Sequence, residues 1–140
     1  MRQARQRIAR CYTEAFSSLG ELLLPEIRSD RSTSWHLYVL RLRPECLRVD
    51  RDAFLHAMNA RGVSCSVHFI PLHLHPYYQR VYGYRAGDFP NAERQYDSCL
   101  SLPIFPGMTD QEIAHVIRAV EETTVESRMV GQNAAISHFC

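Results

Sequence analysis

The 140 residues carry a formal net charge of +1, with 16 basic residues that are all arginines and not one lysine. So balanced a charge excludes a general electrostatic pull toward nucleic acid, and no apolar run approaches the roughly 20 residues needed to cross a bilayer. A hydrophobic share of 46% with 22% charged residues describes one soluble globular domain of ordinary size with a core of its own. The charged start, Met1 to Arg5, leads into an amphipathic stretch and not a signal-peptide core. Five cysteines (Cys11, Cys46, Cys65, Cys99 and Cys140) stand far apart in an odd number, which points to reduced thiols in a cytoplasmic protein.

In chain order, Ala4, Ile8, Cys11, Tyr12, Ala15, Phe16 and Leu19 recur at three- and four-residue steps and predict a helix over 2–19, with Gly20 as its left-handed cap. Leu22 to Pro25 leads into a polar loop. Trp35 to Leu42 is apolar except at His36 and Arg41, as in a strand covered on both faces over much of its length. Asp50 suits the N-cap of a helix carrying Phe54, Leu55 and Met58, and Gly62 marks its stop. From Val63 to Phe69 apolar and polar residues alternate, which puts Ser64, Ser66 and His68 on one face of a strand. Tyr77 to Tyr84 predicts one or two helical turns, and Asp88 is placed to cap a helix through Phe89, Ala92, Tyr96 and Cys99. Leu100 to Ile104 reads as a short strand or extended piece. Thr109 and Glu112 form a capping box ahead of Ile113, Val116, Ile117 and Val120. The pattern fades from Glu126. The order predicts a small α/β sandwich of α+β type, with a sheet of few strands covered by helices.

The densest polar cluster runs from His68 through His73 and His75 to Tyr77 and Tyr78. Three readings compete: loop histidines without a special role, a metal held by His73 and His75, or the polar wall of a small-molecule pocket. A zinc site needs three or four ligands with a second shell, and the nearest downstream carboxylate is Asp88. Cys65 and Cys99 fall on apolar faces, where a thiol acts as a small hydrophobe, not a nucleophile. Trp35 and Tyr38 suit either ligand stacking or strand core, the second being the plainer. No phosphate loop, dinucleotide fingerprint or nucleophile elbow is present, and nothing assembles a self-contained active site.

Three ordered segments carry a resemblance. They are Ser34 to Leu42 with Asp50 to Phe54 and Ala60 to Val63, then Val67 to His73 with Pro76 to Tyr78, then Gly87 to Glu93 with Leu100 to Asp110. Together they resemble the C-terminal part of the DegT/DnrJ/StrS-type aminotransferases, enzymes that use pyridoxal phosphate to place amino groups on nucleotide-linked keto sugars. The resemblance implies a small domain over 1–125 that begins with a linking helix at 1–20, and leaves 126–140 as a tail of unknown role. It implies His68, His73, Tyr77 and Tyr78 as substrate contacts, with no catalytic, cofactor-binding or metal residue in this chain. It further implies a nucleotide-sugar substrate, and as partner a missing large domain or a second copy, with neither nucleic acid nor membrane. The cofactor belongs to the large domain, which supplies the lysine that forms the imine; arginine stays protonated and is no substitute. This chain by itself is therefore expected to bind no pyridoxal phosphate and to be inactive. The alternative is a non-catalytic sugar-nucleotide-binding or dimerisation module of the same descent.

Overall fold

The computed structural model describes residues 1–129. The first helix, α1 (Arg2–Phe16), turns Ile8, Ala9, Tyr12 and Phe16 inward and leaves Arg2, Gln3, Gln6, Arg7 and Arg10 exposed. It stops at Ser17 in right-handed geometry, three residues short of the Gly20 cap that the sequence suggests. Leu22 and Leu23 then form β1, a two-residue strand that no periodicity announces. Its partner is β2 (Tyr38–Leu42), which begins three residues later than the apolar run, because Trp35 sits in the left-handed region at φ 52°. The Thr33 hydroxyl accepts the Trp35 amide at 3.2 Å, and the indole stacks on Tyr38 with centroids 5.6 Å apart.

Burial along β2 alternates, Tyr38, Leu40 and Leu42 being buried and Val39 and Arg41 only partly so. One face is thus fully covered, not both. The third strand, β3 (Cys99–Leu102), pairs antiparallel with β2 in the register Tyr38↔Leu102, Leu40↔Leu100, giving the order β1-β2-β3. This small antiparallel sheet against helices is the sandwich that the sequence predicts.

Helix α2 (Arg51–Ala60) starts where Asp50 accepts the Ala53 amide at 2.8 Å and ends just before Gly62, at φ 75°. Its Phe54 and Met58 are fully buried. Helix α3 (Pro76–Tyr82) begins on proline and closes on Gly83, whose φ of 72° gives the left-handed cap; its amide donates to the Gln79 carbonyl at 3.0 Å. Helix α4 (Pro90–Ser98) is capped by Phe89 and not by Asp88, whose carboxylate instead accepts the Arg85 amide in the preceding turn. Between α2 and α4, the buried guanidinium of Arg51 donates to the Tyr96 and Cys99 carbonyls and lies 4.9 Å from the Tyr96 ring centroid.

Helix α5 (Asp110–Glu126) packs across α1 and α2 through Ile113, Val116, Ala119 and Val120. Its capping box is complete: the Glu112 amide donates to Thr109 Oγ1 at 3.2 Å, and the Thr109 amide to Glu112 Oε2 at 2.7 Å. Thr109→Ala is expected to lower the unfolding free energy by about 1 kcal/mol, read as a shift in urea midpoint at constant slope. Just past α5, the Arg48 amide donates to the Ser127 carbonyl at 2.9 Å and Arg128 pairs with Glu21. The start of the expected tail therefore belongs to the fold, and 130–140 lies outside the described residues.

Candidate functional site

The stretch from Val63 to Phe69 keeps its alternation without forming a strand. Val63 is buried, Cys65 and Val67 are partly so, and Ser64 and Ser66 are exposed. Its only ladder contact among the described residues is the bridge Ser66↔Ser101, closed by amide–carbonyl bonds of 3.2 and 2.7 Å. His68 follows on the same face, with Nδ1 3.0 Å from the Ser101 hydroxyl. Phe69 breaks the pattern. The alternation turns it inward, yet 76% of it is exposed, with its ring edge-on to His68.

His73 has a different setting. It lies in the helical turn Leu72–Leu74, only 4% exposed, with Nε2 2.8 Å from Glu93 Oε1 on α4. The same carboxylate oxygen accepts the Gly87 amide at 2.8 Å. These two donors, His73 first, hold the Glu93 carboxyl below its ordinary range. The folded state therefore takes up this proton less readily than the unfolded chain does. The contribution is present above the ordinary glutamate range and is lost as pH falls through the lowered value. A carboxylate can only accept, so Nε2 carries the proton of the bond.

Two residues on, His75 is exposed ahead of α3. The spacing of His73 and His75 thus does not bring two imidazoles to one ligand, and no group of three histidine, cysteine or acidic side chains suited to a metal occurs among the described residues. Tyr77 and Tyr78 occupy the first turn of α3, rings perpendicular at 5.4 Å. From Tyr78 a run of rings continues through Tyr82, Tyr84 and Phe89 to His73, at centroid spacings of 5.9, 5.7, 5.4 and 4.8 Å. Phe69, Leu72, Tyr77, Val81, Tyr82 and Phe89 are all exposed, so an aromatic surface opens beside the buried imidazole.

Cys65 and Cys99 fit no nucleophile. Burial pushes the Cys65 thiol up to about 12 and raises Cys99 as well, which keeps both protonated near neutrality. Trp35 and Tyr38 prove to be packing partners, Tyr38 being fully buried with its hydroxyl 3.0 Å from Thr13 Oγ1. Sequence reasoning missed Ser101 and Glu93. A serine between Leu100 and Leu102 was the available sign of the first. The second carries no local signal, since its partner His73 lies 20 residues earlier.

Residues 1–121 match the model of the DegT/DnrJ/EryC1/StrS aminotransferase family. The chain belongs to that family. An uncharacterized protein of Methanocaldococcus jannaschii is 43% identical over 128 residues, covering 91% of this chain and 33% of the relative. The spore coat polysaccharide biosynthesis protein SpsC of Bacillus subtilis is 41% identical over 123 residues, 87% of this chain and 32% of its own. Among solved structures, S. venezuelae DesV, determined with a ketimine intermediate, superposes with a TM-score of 0.77 at 30% identity, over 88% of this chain and 32% of DesV. The chain spans about a third of the length of these family members. A putative sugar aminotransferase of Streptococcus pneumoniae, 21% identical with a TM-score of 0.80 over 90% of this chain and 32% of its own, has the same fold and was solved in a PLP form. The residues here do not fit that cofactor as a covalent host: with no lysine, the chain offers no side-chain amine to form the imine.

Proposed function

We propose that this chain is the C-terminal small domain of a pyridoxal-phosphate-dependent aminotransferase acting on nucleotide-linked keto sugars. It closes the substrate cleft and leaves the imine chemistry to a lysine-bearing large domain. The observation that carries this reading is the uncovered aromatic surface that runs from α3 to His73 in a chain one third as long as its relatives. An apolar surface of this kind, bordered by polar groups, is what an interface or a ligand wall presents. His68 stands on Ser101 as a hydrogen-bonding group toward the sugar nucleotide, Tyr77 and Tyr78 line the entrance, and His73 acts from behind them. No proton abstraction is assigned to any of the four.

The test is to mix the chain with a lysine-bearing large domain of a relative and to measure amino transfer to a panel of nucleotide-linked keto sugars. Activity is expected only in the mixture, with His68→Ala raising KM by roughly tenfold at little cost in kcat. With the chain alone, pyridoxal phosphate is expected to give no lasting stoichiometric aldimine absorbance. The absence of lysine favours one second reading, a non-catalytic module. Calorimetric binding of a nucleotide sugar by the chain alone, without activity in the mixture, would establish that reading instead.

A further inference from the structure

Helix α3 has no buried residue of its own, and seven residues are too few to hold a helix in water. Something else fixes it. The turn that leads into it carries His73, and the loop that leaves it carries Gly87. Both bond to a single atom, Glu93 Oε1, each at 2.8 Å. The carboxylate stands in the first turn of α4, whose far end is bound through the Tyr96 carbonyl to the buried Arg51. The entry and exit of α3 are thus pinned to one side chain anchored on the body of the domain. The geometry makes the pin specific. Gly87 adopts φ 95°, the Arg85–Asp88 turn is closed by a 2.8 Å bond, and the Phe89 ring lies tilted against the imidazole with centroids 4.8 Å apart.

We infer that Glu93 is a positioning residue: by holding His73 through Nε2 and Gly87 through its amide, it sets α3 and so places Tyr77 and Tyr78 on the substrate-facing side. The inference rests on the proposed function only for what the tyrosines meet. The clamp itself is independent of that. It moves His73 from contact to support, since the nitrogen that an exposed ring would offer a ligand is already engaged by Glu93.

The experiment follows amide exchange and histidine imidazole ¹⁵N resonances by NMR in the full chain, for the parent, Glu93→Ala and Glu93→Gln. The parent is expected to show His73 as a single Nε2–H tautomer and measurable protection of the amides of Gln79 and Gly83, which bond to His75 and Gln79. Glu93→Ala removes the acceptor that both bonds share. About tenfold faster exchange across α3 is expected, with averaging of the His73 tautomer and unchanged protection in β2, β3 and α5. Glu93→Gln keeps one carbonyl oxygen and is expected to restore the tautomer and much of the protection. Unchanged α3 exchange and His73 tautomer in Glu93→Ala would overturn the inference. So would exchange that rises equally in the core and α3 of Glu93→Gln, because the residue would then be part of general stability. None of these readouts uses a substrate, so loss of the sugar-nucleotide reading would leave the clamp standing, and loss of the clamp would leave that reading open.

Discussion

Purified alone, the chain is expected to sediment as dimers or larger species at roughly 100 µM, where a contact worth about 5.5 kcal/mol is half saturated. The reason lies in where its apolar surface is. On the proposed reading, α1 is the linking helix and would be the natural place to expect an orphaned apolar face. The structure puts it elsewhere: Ile8, Tyr12 and Phe16 of α1 are fully buried, whereas Phe69 is 76% and Leu72 63% exposed, alongside Tyr77, Val81 and Tyr82. Burying several such side chains supplies more than the required contact energy before the cost of association is subtracted. Phe69→Ser with Leu72→Ser is expected to return the chain to a monomer. Its thermal stability should hardly move, because exposed side chains away from caps and networks contribute within about 0.5 kcal/mol. A parent that stays monomeric at that concentration would contradict this account of the surface.

The opposite behaviour is expected of Phe54. It is fully buried on α2, in the core shared by the sheet and α5. Phe54→Ala deletes an aromatic ring from a close-packed interior, which costs about 3–5 kcal/mol. A domain of this size is stable by about 5–15 kcal/mol, so the loss is a large share of the whole. Urea unfolding followed by circular dichroism is expected to show the midpoint falling by roughly 2 M, with Phe69→Ala in parallel as a near-silent control. Should Phe54→Ala unfold within about 1 kcal/mol of the parent, the assignment of this ring to the core would fail.

These two phenylalanines also mark how far the sequence could be read. Phe54 stands in a helix with its cap, its period and its stop all written between Asp50 and Gly62, and the structure reproduces each of them. The same holds for α5, whose capping box and apolar stripe are local in the chain. The resemblance, too, was legible from ordered segments, and the family match bears it out over residues 1–121. Phe69 ends an equally clean alternation, yet only Ser66 of that stretch finds a ladder partner among the described residues, so nothing forces the pattern to continue. Candidate residues were legible as types and not as roles. His68 and His73 are five positions apart in one polar cluster, and only the fold sends one to Ser101 and the other to Glu93.

By itself the sequence determined the N-terminal caps of α2 and α5, the sandwich of helices on a small sheet and the absence of any side-chain amine, because each depends on residue identity, on contacts within a turn or on the order of the elements. The tertiary structure alone decided the two-residue strand β1, the contact of His68 with Ser101 and the Glu93 clamp. Those depend on groups that are distant in the chain and become neighbours only when the sheet and helices close. The free energy of such contacts belongs to the pair, and neither partner's local sequence records it.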